Sequence, residues 1–144
     1  MNLTSQTALQ GVAQALYERI APAVKDGFVS ETARLAGMLL TLNANWVDDA
    51  AAIRVAENAS IRSFFAEVAI GDDSGLGLAL AEAAGSSDPG LRISELDIEN
   101  NRLRGLLLRF HVHADSRAEA SATALSQRIW RLLEQFEAAR APRG

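Results

Sequence analysis

The 144-residue sequence predicts an all-α protein, a bundle of about five helices built around one long central helix over about residues 31–70. Three observations predict it. Alanine is heavily used, aromatics are few and β-branched residues are scattered, and Ala, Leu, Glu and Arg lose little side-chain entropy in a helix. Apolar residues recur three and four apart over long stretches. Between residues 31 and 70 the only helix breaker is Gly37, and the clear breaks are the stretches 71–77 and 85–90, rich in glycine, aspartate and serine.

Thr4 and Ser5 are competent N-caps for the first helix, in which Leu9, Val12, Leu16, Ile20 and Val24 form a stripe and Gly27 is placed to cap the end. Pro22 disturbs this helix, because it lacks an N–H and crowds the preceding turn. Phe28 plugs the turn that follows. Ser30 is the expected cap of the central helix, with Glu31 in its first turn. Leu35, Leu39, Leu42 and Trp46 then make one stripe, and Ile53 and Phe64 fall close to it. The competing reading ends one helix near Trp46 and starts another at Asp48 or Asp49; the continuous helix is preferred. It would be about 60 Å long, against about 30 to 35 Å for a compact chain of this size. The overhang asks for a second surface, and a homodimer supplies one.

Residues 71–77 form a loop, a short helix covers 76–84, and 85–90 form a second loop. Ser94 is placed to cap a helix that runs to about Ala114. Asp115 or Ser116 then starts the last one, with Ala118, Ala122, Leu125, Ile129, Leu132 and Phe136 as its stripe. Residues 140–144 should fray. The length suits one domain over 1–144.

One pattern exceeds this routine. Glu57-Asn58-Ala59-Ser60-Ile61-Arg62 and Glu99-Asn100-Asn101-Arg102-Leu103-Arg104 both read E-N-x-x-[IL]-R, 42 residues apart. Leu96, Asn100, Leu103, Leu107 and Phe110 follow a four-three spacing that puts Asn100 in an apolar seam, and Asn58 has the same phase beside Ile61, Phe65 and Val68. The expectation is two related helices packed face to face, each with a semi-buried asparagine that fixes register. Asn58, Asn100, Arg62 and Arg104 are thus candidates for a seam or a ligand site. Whether the two segments pair within one chain or between chains is left open. Trp46 and Trp130 become interface candidates if they prove exposed.

The charge is −4; five basic and eleven acidic residues precede Arg92, and nine basic and seven acidic residues follow from it, so the halves carry −6 and +2. Such a balance argues against nucleic acid as a partner. With no cysteine, thiolate chemistry, disulfides and cysteine-bound zinc are excluded. No apolar run is long enough to span a membrane and the first ten residues carry no leader pattern, so a cytoplasmic protein is expected.

His111 and His113 point about 200° apart on a helix and cannot share a metal. Leu108 and Phe110 stand where a di-iron site needs acids. Asp72-Asp73-Ser74-Gly75 resembles a fragment of a calcium loop but lacks the closing acid. The glycines there lack the strand and Gly-Lys-Ser/Thr of a phosphate loop. A Ser-His-Asp set has its residue types but no nucleophile elbow. The sequence therefore names no catalytic residue, no metal and no cofactor. It favours a non-enzymatic interaction or scaffold protein acting as a homodimer, with a protein partner. The alternative is a bundle that holds a small apolar or amphipathic ligand between its helices, where Gly37, Ala44, Ala50 and Gly105 leave room. An enzyme using arginine and carboxylate groups in a cleft ranks third.

Overall fold

A computed structural model describes residues 3–69, 74–117 and 119–141. Among these residues there are six helices and no strand. The chain divides into two compact units, one ending at Ala50 and one spanning Ala51–Ala141, and each is described by itself.

The first unit is a helical hairpin. Helix α1 (Ser5–Ala15) is capped by Thr4, whose hydroxyl accepts the Thr7 N–H at 3.1 Å. It continues through a π-helical turn, Leu16–Ile20, and a last α turn, Ala21–Ala23. In the π turn the Ala21 N–H reaches back to the Leu16 carbonyl. Pro22 explains the widening: its ring would press on the carbonyl four residues earlier, and a wider turn relieves the crowding. Val24 is extended and ends the helix, so Gly27 is not its cap. Gly27 instead opens α2 (Gly27–Val47), because the Asp26 carboxylate accepts the Val29 N–H at 3.0 Å. Ser30, expected as that cap, lies inside α2 and donates to the Ala21 carbonyl at 2.7 Å, tying the two helices together.

Small residues let these helices approach. Ala13, Ala21, Gly37 and Ala44 are buried. A Cβ on Gly37 would lie 3.0 Å from the Tyr17 ring and 3.3 Å from the Ala13 carbonyl oxygen. The stripe expected to face a core points elsewhere: Leu35 and Leu39 are 52% and 51% exposed.

The central helix is not continuous. Helix α2 ends at Val47, Asp48 and Asp49 turn, and α3 (Ala50–Val68) follows. A carboxylate opposes the dipole at a helix C-terminus and favours it at an N-terminus, so adjacent aspartates promote a stop and a restart. With 21 residues, α2 is about 32 Å long. The overhang that argued for a second copy therefore disappears.

The second unit contains α3, α4 (Gly75–Ala84), α5 (Ile93–Asp115) and α6 (Ala120–Arg140). Ser74 caps α4 by accepting the Gly77 N–H at 3.1 Å. Helix α5 starts one residue before Ser94, without a side-chain cap. It includes Asp115, and Ser116 closes its end by donating to the His113 carbonyl at 2.7 Å. The last helix therefore begins at Ala120, not at Asp115 or Ser116, after an extended Glu119. Ala118, expected in its stripe, lies outside the described residues, as do Gly71, Asp72 and Asp73 of the first loop. The core joins Ile61, Phe64 and Phe65 of α3 to Leu80 of α4, to Leu103, Leu107 and Phe110 of α5, and to Ile129 and Phe136 of α6. Phe64 meets Phe110 edge-on, with ring centres 5.9 Å apart. No described helix is long and apolar enough to cross a membrane.

Candidate functional site

The two E-N-x-x-[IL]-R segments meet inside the second unit. In each, glutamate and arginine are five residues apart, about 140° round the helix, and cannot readily pair at home. Each arginine goes instead to the other segment's glutamate. Arg104 of α5 donates to Glu57 of α3 at 3.2 Å, and Arg62 of α3 donates to Glu99 of α5 at 2.7 Å. Between these crossed pairs the asparagines touch: Asn100 donates to the Asn58 side-chain oxygen at 2.9 Å. The segments thus pair within one chain, in an approximately twofold pattern, with Asn58 and Asn100 both buried at its centre.

Further groups lock each half differently. Arg140, in the last turn of α6, grips Glu57 through both oxygens, at 2.6 and 2.7 Å. Asn100 adds a bond to the same carboxylate at 3.0 Å. On the other side Arg102 forks onto Glu99 with two 2.8 Å bonds. There Asp88, from the α4–α5 loop, accepts from Asn58 at 2.9 Å and from Arg62 at 2.8 Å. Ser86 accepts from Arg62 and donates to the Ala83 carbonyl. A fork of two parallel bonds fixes geometry as well as charge.

Burial pushes the Glu57 carboxyl up, but Arg140, Arg104 and Asn100 together overcome it and hold the group below the ordinary carboxylate value. The Arg102 fork, with Arg62 behind it, prevails over burial and lowers Glu99 to about 2. Glu57 in turn raises Arg140 against the opposing effect of burial. Both carboxylates are therefore ionised near neutral pH and occupied by arginines. A general acid or base must exchange a proton near the working pH, and both of these are held below the ordinary carboxylate value. The buried Arg104 Nε has no hydrogen-bond partner; the guanidinium lies 5.3 Å from the centre of the Phe136 ring, which offers a cation–π contact instead.

Of the residues the pattern named, Asn58, Asn100, Arg62 and Arg104 form one cluster. Sequence reasoning missed Arg140, which was expected to fray, and Ser86, Asp88 and Arg102. Only Arg102 had a legible signal, an arginine three residues after Glu99 on one helix face. Trp46 and Trp130 are not part of the cluster, and both are exposed, at 41% and 58%.

Two other places carry functional side chains. His111 lies 2.9 Å from Ser126 and 3.6 Å from Asp115, with Trp130 edge-on at 5.4 Å. Both oxygens approach the same nitrogen, Nε2, whereas a catalytic triad needs the acid on the opposite ring nitrogen. The residue types of a Ser-His-Asp set are thus gathered in the wrong order. Between α3 and α6 runs an open groove of about 510 Å³, floored by Phe64 and Leu132 and edged by Ser63, Glu67, Arg128 and Arg131. Arg128 pairs with Glu67 and sits over the Phe64 ring. Among the described residues no three histidine or acidic side chains are placed to hold a metal ion.

No protein-family model, no curated protein and no solved structure matches this chain.

Proposed function

We propose that the protein is a cytoplasmic, non-enzymatic interaction or scaffold protein, acting as a homodimer and docking a protein partner through its helical faces. The observation that carries this reading is where the molecule puts its reactive and its adhesive groups. The carboxylates and arginines of the Glu57–Glu99 cluster are spent on one another inside the second unit. Large apolar side chains of the hairpin, by contrast, stand in solvent: Phe28, Leu35, Met38, Leu39 and Trp46. Two helices joined by small residues cannot cover such side chains themselves, and contiguous exposed apolar surface is the usual mark of an interaction site.

Two measurements test the reading. Sedimentation over a concentration series should give a dimer, and a monomer at every soluble concentration would remove the homodimer. Photo-crosslinking from position 39 in living cells should yield one recurrent protein adduct, and its absence would remove the docking role. A second reading draws on the α3–α6 groove. Its apolar floor and the Arg128 and Arg131 edge suit an amphipathic anion, held there and not at the asparagines as the sequence suggested. A fatty-acid probe that binds the protein and is lost on Arg131→Glu would support it; no binding would dismiss it.

A further inference from the structure

Helix α5 carries a second stripe that its own fold leaves unused. Leu96, Asn100, Leu103, Leu107 and Phe110 face the core. On the opposite side Ile98, Asn101, Gly105, Leu108 and Val112 repeat the three-and-four spacing, and all five are exposed. Ile98 is 72% exposed, and Leu108 and Val112 are 63% each. At the first four of these positions, counted 42 residues earlier, α3 has Ala56, Ala59, Ser63 and Ala66. The two helices share a motif and a crossing, yet only α5 has large apolar side chains outside. Gly105 is a separate observation. Nothing lies within 4 Å of where its Cβ would be, so the single chain gives no steric reason for a glycine in the middle of a long helix. A glycine there weakens the helix, and the close approach of another backbone is what it permits.

We propose that this outer face of α5 is the homodimer interface, packed against the same face of a second copy in antiparallel register. The inference rests on the homodimer reading above. The occupant is read from the register. A twofold axis at the level of residue 103 sets Ile98 against Leu108 of the partner subunit and Asn101 against Gly105 of the partner subunit. Large apolar residues then meet each other, and the asparagine lies over bare backbone. Charge agrees with this pairing. Glu95 and Arg109 lie on one flank of the stripe, and antiparallel pairing brings like flanks together. Glu95 therefore faces Arg109 of the partner subunit, and symmetry repeats the contact. Arg102, on the same flank, meets its own mate at the middle, but its fork is already filled by Glu99 of its own chain. An isologous interface requires just this self-complementarity. The hairpin of each copy is then left for the partner protein.

The absence of cysteine makes the test direct. Two full-length variants, Ile98→Cys and Leu108→Cys, are mixed under mild oxidation. The two positions on one helix are about 15 Å apart, beyond the reach of a disulfide, so any bridge joins two molecules. The expected result is a disulfide-linked dimer from the mixture, in clear excess over either variant alone. Leu108→Glu, at an exposed position, should keep its helical circular dichroism and dimerise at least tenfold more weakly by sedimentation. If the protein sediments as a dimer while the mixture does not crosslink and Leu108→Glu changes nothing, this face is not the interface, though the homodimer stands. Crosslinking stronger within one variant than in the mixture overturns the register. A wild-type chain that sediments only as a monomer removes both the proposal and the homodimer reading.

Discussion

The hairpin and the four-helix unit solve the same problem, holding amphipathic helices together, with opposite materials. The hairpin uses absence: Gly37, Ala13, Ala21 and Ala44 bring two backbones close, and the larger apolar side chains remain outside. The four-helix unit uses presence: phenylalanines and leucines fill its core, and a cluster of arginines, carboxylates and asparagines closes one side of it. Close packing of small residues is permissive, since it fixes distance but says little about register. Crossed charge pairs are restrictive, because a slip along either helix leaves a charge buried and alone. The second unit is thus held to one arrangement, whereas the first leaves large apolar side chains exposed. Each unit contains one tryptophan, Trp46 or Trp130, so Trp46→Phe and Trp130→Phe backgrounds let each be followed separately.

The largest effect is expected at Glu57. Replacing it with leucine leaves Arg104 and Arg140 facing each other without their anion. Removing one partner of a buried pair costs about 3–5 kcal/mol. Urea unfolding followed through Trp130 should show that loss, while the Trp46 signal of the hairpin keeps its midpoint. A loss under about 1 kcal/mol would mean that Glu57 is solvated and the lock is not real.

Acid should reach the same lock from another direction. A carboxyl whose folded value lies below its unfolded one stabilises the fold above the unfolded value, and that stability is lost as pH falls through the folded value. For Glu99 the window runs from the ordinary 4.5 down to about 2. The second unit should therefore lose stability progressively across it, and Glu99→Gln should flatten that slope while lowering stability at neutral pH. An unchanged slope in the variant would assign the acid response to other groups.

The asparagine pair should cost less and couple more. Asn58→Leu or Asn100→Leu each strands polar partners, at about 1–3 kcal/mol. The double variant should cost less than the sum, because the two groups that bond each other leave together. Additivity would show that each asparagine matters only for its remaining contacts, with Asp88 for Asn58 and with Glu57 and Arg140 for Asn100.

How legible this was differs between the two regions. Helices follow from composition and spacing, so the helical stretches could be read, but not the break at Asp48 and Asp49 or the start of the last helix at Ala120. The asparagine seam could be read too. A polar residue at a core phase must find a polar mate, and a second asparagine with the same flanking Glu and Arg supplies one. What could not be read is which of two stripes a helix buries. In α2 the stronger apolar stripe, Leu35, Leu39 and Trp46, faces out, and the weaker line through Gly37 and Ala44 faces in. Periodicity measures amphipathicity within a helix, whereas burial depends on the neighbour, and Ala13 of α1 and Tyr17 of the π turn demand small residues opposite them. Asp88 and Arg140 were hidden for a related reason: a loop residue and a residue near the C-terminus join the cluster only through the tertiary path of the chain.

The last comparison separates the two glycines, and the smallest effect is expected at Gly105. Both are in mid-helix, where replacing glycine by alanine gains about 1 kcal/mol in an unobstructed site. At Gly105 the site is open, so Gly105→Ala should raise the stability of the second unit by about that amount in dilute solution. At Gly37 a Cβ meets the Tyr17 ring and a carbonyl oxygen, and valine there adds two methyl groups to the collision. Gly37→Val should cost about 1–3 kcal/mol through overpacking, seen in the Trp46 signal alone. Concentration then sharpens the contrast. If α5 pairs with a second copy as proposed, the gain at Gly105 should shrink as the protein is concentrated, because a methyl group there would hold the two α5 helices apart. A gain constant at all concentrations would instead make Gly105 a glycine without a partner.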